Sequence, residues 1–444
     1  MITRYGPFAV GPSLVVSGVV IFAIAAGPVR AQQQAPTLAP AERTGALDSI
    51  KRVLGAEYVF PEMRAKLVER LSRSEQEGRY DVTQPLVFAD RITEDLRDVA
   101  HDSHLSLTHA PARYAAAMAP PASPRGAEAF YEQRAVRRHH GLAELRILPG
   151  NIRYLRITGF SWVRDRTGEA YDGAMRFLRE GDAVIIDIRG NGGGDAAAVQ
   201  YLTSHFLPAD TLLLTFLHGS DTPYQSRSLS NLPAGRLLAK PLYVLIDGNV
   251  ASAAEEFAYH VQQFKLGELV GARTAGGANN NELRPIAPGF ILSVSVGRPV
   301  HPVSGTNWEG KGIEPSVAAA PPQSLDVAQS LALARLAAQR GVTPELLAEY
   351  AWARTAVEAR LRPVTLAPAQ LRRFAGDYGE IHVELRDGTL WLVAPDRPVR
   401  RLSPLTADGL FGVDDVSVMR VRFTADVLEL RWMGEPEGRL FRKS

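Results

Sequence analysis

Four short stretches carry residue types that could do chemistry together. Ser252 stands in LIDGNVASAAEEFAYH, where an apolar run gives way to a helical pattern. A serine there would expose its hydroxyl at a sheet edge, with a helix N-terminus favouring developing negative charge. The same residues also read as a plain capping box, Ser252-Ala-Ala-Glu255, which many inert helices carry. The loop DIRGNGGGD, Asp187 to Asp195, would let backbone N–H groups at Gly192, Gly193 and Gly194 approach an anion or oxyanion closely. It lacks the Gly-Lys-Ser/Thr of a phosphate loop, and Asp195 stands where a dinucleotide fingerprint needs a small residue, so a tight structural turn is the competing reading. HDSHLSL offers Asp102, Ser103 and His104, a general base if partners come from elsewhere in the fold. It lacks the HExxH spacing of a zinc helix, and no metal site is expected. NWEGKGIEP places Glu309 in a glycine-rich turn beside Trp308.

Elements that could position these residues follow from the apolar pattern. Leu47, Ile50, Val53 and Leu54, then Met63, Leu67 and Leu71, then Ile92, Leu96 and Val99 recur at helical spacing, so residues 40–110 are expected to form a helical domain. HLSLTH at 104–109 is a short strand. Residues 111–127, rich in Ala and Pro, read as a loop. Strands are expected at Glu144–Leu148, Ile152–Ile157, 183–188 and 241–247, the last two continuous apolar runs suited to burial on both faces. Helices should follow at about Ala196–Phe206 and Ala253–Phe264, and strands at Gly267–Gly271 and Phe290–Val296. Strand–helix alternation implies an α/β core over 128–320. Two helices at 324–339 and 344–361 make a helical linker, 321–365. Alternation around the Asp387-Gly388 turn marks 366–444 as a small antiparallel β domain.

The chain has 444 residues, 45% apolar and 22% charged, with a net charge of +2. Such balance excludes a mostly disordered chain and a dedicated nucleic-acid binder, which needs a basic footprint. There is no cysteine, so disulfides, thiolate nucleophiles and zinc–thiolate sites are excluded. Residues 1–31 read as a signal peptide: Arg4, an apolar run from Ser13 to Ala26, then Val29 and Ala31 at the small-residue positions of a cleavage site. The expectation is a periplasmic or secreted bacterial protein without stable membrane insertion after cleavage.

Taken in order, Asp-Ser-His, Asp-x-Arg-x-Asn-x-Gly-Gly, Ser-Ala-Ala-Glu-Glu and Trp-Glu-Gly-x-Gly-Ile-Glu-Pro resemble the tail-specific, C-terminal-processing serine peptidase superfamily. The resemblance is to the branch with interphotoreceptor retinoid-binding protein and the tricorn core, and covers about residues 40–320. It implies a crotonase/ClpP-like ββα core. It also implies Ser252 as nucleophile, His104 as base, Ser103 and Glu309 as the orienting pair, and N–H groups of Ala253 and of Gly192 or Gly193 as the oxyanion hole. No cofactor is implied, and the substrate would be a peptide or unfolded protein. A sister branch uses a Ser–Lys dyad. Its lysine belongs in ARTAGGAN, where Gly277 stands, and the chain holds only six lysines. The 111–143 segment is too short for the PDZ domain of the processing branch. The alternative on the same fold is a non-catalytic protein that binds a lipid, retinoid-like ligand or peptide.

Overall fold

The computed structural model describes residues 37–119, 124–218 and 222–444. The signal-peptide expectation lies outside the described residues.

The core is a six-stranded sheet. From one edge its strands are Val317–Ala318, Glu268–Gly271, Leu242–Ile246, Ala183–Asp187, Ile152–Ile157 and Leu142–Leu148. All neighbours are parallel except the last pair, which is antiparallel. Its two central strands, Leu242–Ile246 and Ala183–Asp187, are buried at every position. Alternation decides which face each side chain serves. Val184 and Ile186 pack with the helices Arg164–Arg179, Ala196–Ser204 and Ala253–Gln263, whereas Ala183 and Ile185 pack with Ser324–Ala337 and Pro344–Leu361. Each such aliphatic side chain removed from water contributes roughly 1.5–3 kcal/mol. Covering both faces is what a parallel sheet of near-continuous apolar strands requires.

A second sheet runs Ser106–His109, Phe290–Val300, Leu212–His218 and Tyr224–Arg227, with Asn280–Ile286 paired to the long strand. Three N-terminal helices, Pro40–Glu57, Pro61–Gln76 and Pro85–Ala100, bury Leu47, Leu67 and Ile92 against Leu107, Phe290 and Leu292 of this sheet. The third of these helices ends on His101 in a left-handed conformation (φ 52°), which turns the chain into Asp102–His104.

Residues 376–442 form an eight-stranded antiparallel meander around its own apolar cluster. A bridge between Tyr378 and Lys443 brings the last strand back to the first, giving a near-barrel. Strands Ile381–Arg386 and Thr389–Val393 are joined through Asp387 and Gly388 at φ 47° and 75°, the positive pair a two-residue hairpin needs.

The 111–127 segment departs from the loop reading. Helices Pro111–Met118 and Pro124–Arg137 occupy most of it. Each opens on a proline, which suits a helix's first position, and alanine has the highest helix propensity. Here the prolines mark helix starts rather than an interruption.

Candidate active site

Ser252 follows the strand Leu242–Ile246 and a short turn, and immediately precedes the helix Ala253–Gln263. Its backbone sits at φ 56°, ψ −126°, a strained region for a residue with a Cβ. Such a conformation costs on the order of 1–3 kcal/mol and persists only where its surroundings over-determine it. They do so here. Ala251 N–H donates to the Asn191 carbonyl at 3.1 Å, Ala275 N–H donates to the Val250 carbonyl at 3.0 Å, and Ser252 N–H donates to Glu255 Oε2 at 3.0 Å. The glutamate half of the expected capping box is therefore formed. The serine half is not: the Ser252 hydroxyl makes no capping hydrogen bond.

The glycine loop is pinned by its polar residues. Asp187 is fully buried, takes Arg189 Nη2 at 2.6 Å and Nε at 2.9 Å, and accepts from Tyr154 at 2.8 Å. Burial alone would raise its pKa, but these donors hold it below the usual carboxylate value. Asn191 donates to the Ile157 carbonyl at 3.1 Å and accepts the N–H of Gly193 at 2.9 Å. The loop then runs past the serine so closely that a Cβ at Gly193 would stand 2.9 Å from Ser252 Cβ and 3.0 Å from Ala253 N. Only glycine fits there, at φ 103°. The Gly193 N–H is held by Asn191, while the N–H groups of Gly192, Gly194 and Ala253 have no acceptor among the described residues.

His104 and Glu309 come from opposite ends of the core. Glu309 Oε1 accepts the Ser103 N–H at 3.2 Å and lies 3.4 Å from its hydroxyl, across 206 positions of sequence. Glu309 Oε2 accepts the N–H of Ala278 at 2.6 Å and of Asn279 at 2.7 Å, and stands 3.6 Å from His104 Nδ1. The glutamate thus faces the imidazole directly as well as Ser103, at ion-pair rather than hydrogen-bond distance. Burial would lower the His104 pKa, but Glu309 beside it and the charge of Asp102 outweigh that and raise it. Glu309 is held below its ordinary value despite burial, by His104 and the two N–H donors. Ser252 Oγ and His104 Nε2 make no hydrogen bond to each other in this ligand-free geometry; such contacts are often long until substrate is bound.

Glu255, Trp308 and Asp102 also join the site, although the resemblance gives none of them a role. Glu255, fully buried, accepts from Thr274 Oγ1 at 2.5 Å, Gly276 N–H at 2.7 Å and Gly277 N–H at 2.8 Å, besides Ser252. Its Oε2 ties the Ser252 backbone to Gly277, whose absent Cβ would lie 2.9 Å from His104 Cε1. Trp308 Nε1 donates to the Gly277 carbonyl at 3.2 Å and fixes it from the other side. A side chain at 277, where the resemblance would put a lysine, therefore meets the imidazole. Asp102, 1% exposed, accepts from Tyr58 at 3.2 Å and from His104 N–H at 2.9 Å. Burial first, and the charge of Glu309 second, push its pKa up. Asp102, His104 and Glu309 offer atoms within 4.8 Å of one another, a spacing that could hold a cation. The Glu309 oxygens and Asp102 Oδ1 already accept backbone N–H groups, so the set fits an oriented imidazole better than a metal centre.

Residues 151–319, which contain Ser252, the glycine loop and Glu309, match the profile of peptidase family S41. His104 and Ser103 lie before this stretch. The chain is 27% identical over 179 residues to the carboxy-terminal processing protease CtpB of Bacillus subtilis (strain 168), a match covering 40% of this chain and 35% of that relative. It spans, that is, about a third of the relative's length. Among solved structures it is similar to mature CPAF complexed with lactacystin (TM-score 0.47, 13% identity, 67% of this chain and 99% of that one). It is also similar to the photosystem II D1 C-terminal processing protease (TM-score 0.42, 17% identity, 64% and 94%). A lipoprotein from Streptococcus agalactiae is similar as well (TM-score 0.43, 17% identity, 67% and 98%).

Proposed function

We propose that this S41 chain is an exported serine peptidase that cuts peptide bonds through an acyl-enzyme. The observation that carries the reading is Ser252. It is held in a strained backbone at the start of a helix, its hydroxyl takes no part in capping, and unpaired N–H groups lie beside it. Ser252 Oγ attacks the carbonyl carbon as its proton passes to His104 Nε2. Glu309, beside Nδ1, favours the tautomer with its proton on Nδ1 and stabilises the imidazolium that forms. The oxyanion is received by the N–H groups of Ala253 and Gly192, with Gly193 serving by its lack of a side chain. His104 gives its proton to the departing amine, then takes one from the water that releases the acyl group. Ser103 holds Glu309 from the far side. In this reading the mixed α/β core is crotonase/ClpP-like, residues 40–110 are a helical domain that delivers the base, 321–365 the helical linker, and 366–444 a β domain apart from the chemistry.

The test is labelling of the purified protein by a fluorophosphonate, together with hydrolysis of an unfolded protein. Both should be lost in Ser252→Ala. Hydrolysis that survives in that variant assigns the chemistry elsewhere.

A further inference from the structure

The β domain holds a cavity of about 510 Å³ at one end of its eight-stranded meander. A barrel of this strand number has an interior just wide enough for its own side chains or for one small ligand. Here the two ends differ, and the strand Val416–Thr424 runs from one to the other. At its far end Phe423 is covered by the helix Pro368–Phe374. Phe374 stacks on Phe423 at 4.7 Å and meets Phe411 edge-on at 5.9 Å, which closes the interior. At its near end Val416 and Met419, with Ala394, Trp432 and Phe441, fringe the domain's apolar cluster, stay partly exposed and line the cavity. This site lies outside residues 151–319 and does not rest on the peptidase reading.

The rim is cationic. Every residue lining the cavity is apolar except Glu380 and three arginines, Arg397, Arg400 and Arg439. The strand register turns two of these arginines inward. Arg400 lies opposite Leu392 and two residues before Leu402, and both leucines are buried in the barrel. Arg439 lies opposite the buried Leu430 and two residues before Phe441. Directly paired residues, and residues two apart on a strand, share a face. Each inward row is therefore apolar at depth and ends on a guanidinium at the mouth. Little neutralises this rim. Glu380 pairs with Arg439 at 3.1 Å and Asp415 stands 3.6 Å from Arg400, both acids being exposed, and Arg397 has no ion-pair partner among the described residues. Exposed pairs of this kind are weak. Below the rim the lining side chains are hydrocarbon, apart from the Trp432 indole and the Met419 thioether. The backbone of the walls is engaged in strand ladders, and the Tyr378–Lys443 bridge joins the first strand to the last. A peptide inserted there would leave its amides unpaired. A hydrocarbon chain would not, and an anionic head at its end would meet the arginine forks.

We infer that the β domain binds a single-chain amphiphile, with its hydrocarbon tail in the barrel mouth and its anionic head, carboxylate or phosphate, on Arg397, Arg400 and Arg439. Isothermal titration calorimetry of the whole protein tests it, with octanoate, decanoate, dodecanoate, dodecyl phosphate, dodecanol and dodecyltrimethylammonium, each below its micellar concentration. Dodecanoate and dodecyl phosphate should bind one per chain, and the tighter of the two assigns the head. Each pair of methylenes added from octanoate to dodecanoate should tighten binding by about tenfold. Dodecanol should bind about tenfold more weakly than the better anion, the scale of a charge-assisted contact, and the cationic chain more weakly still. In Arg397→Gln/Arg400→Gln the anions should fall to the affinity of dodecanol, while dodecanol itself binds as before, which also shows that the barrel is intact. Absence of binding by both anions, equal binding of anion and alcohol, or a preference that survives the double variant overturns the inference. Displacement of bound dodecanoate by an apolar decapeptide blocked at both ends also overturns it, in favour of a peptide ligand.

Discussion

At Gly277 a single missing carbon leaves room for the His104 ring. The space its side chain would fill is occupied by the His104 ring, with Cε1 at 2.9 Å from an ideal Cβ and Nε2 at 3.3 Å. Gly277→Ala should therefore displace the imidazole and lower kcat by an order of magnitude or more, while circular dichroism and melting temperature change little, since the position has no positive φ to strain. Full activity in that variant would remove His104 from the base's role. Glu309 makes a second, sharper forecast. It raises the His104 pKa, so the neutral imidazole that the proposed chemistry needs is lost as pH falls through a value above 6.5. Glu309→Gln removes that charge. Turnover should drop by roughly 10²–10⁴-fold, and the acid limb of the kcat/KM profile should move to lower pH. A limb that stays put would mean that Glu309 acts on Ser103 alone.

The helix Ala253–Gln263 and the segment from Thr274 to Gly277 act as one element, locked by Glu255. Its carboxylate gathers N–H groups from Ser252, Gly276 and Gly277 and the Thr274 hydroxyl, so it fixes the strained turn at Ser252 and the floor under His104 together. Glu255→Gln turns an amide donor toward donors and should cost about 1–3 kcal/mol of stability with slower fluorophosphonate labelling; urea denaturation and labelling rates read both. This element also marks how far the sequence reaches. The buried strands announce themselves as apolar runs, and Ser252, the glycine loop and the Asp-Ser-His segment are visible as motifs. The functional weight of Glu255 is hidden, because Ser-x-x-Glu is also an ordinary cap. Asn191 and Asp187 look like ligands but hold the loop. The meeting of Glu309 with His104 comes from tertiary packing, which no local periodicity encodes; only the resemblance pointed to it. The strand Leu212–His218 escapes the strand–helix alternation because it belongs to the second sheet.

Across the whole molecule, the helix Ala253–Gln263 ties stability to pH. It is buried from Ala253 to Val261, and carries Glu256 and His260 into the core. Burial first, and the charge of Asp195 second, push Glu256 up to about 8. Burial takes His260 down to about 3, and His301, whose ring centre is 5.3 Å away, also to about 3 through burial and its neighbour His260. The signs oppose each other. The histidines bind protons more readily when unfolded, so their contribution is intact above 6.5 and is lost as pH falls from 6.5 toward 3. Glu256 binds its proton more tightly when folded, so its contribution is intact below 4.5 and is lost as pH rises toward 8. Between 4.5 and 6.5 two histidines outweigh one glutamate, and above 6.5 only the glutamate still titrates. These three groups therefore place the stability maximum near pH 6.5. Each unit between folded and unfolded pKa is worth about 1.4 kcal/mol, enough to move a marginal fold. Glu256→Gln, which keeps the shape and removes the ionisation, should abolish the decline above pH 6.5 and leave the acid-side loss unchanged. Urea midpoints from pH 4 to 9 measure it. An alkaline decline equally steep in the variant would show that Glu256 is ionised within the fold and that the coupling lies elsewhere.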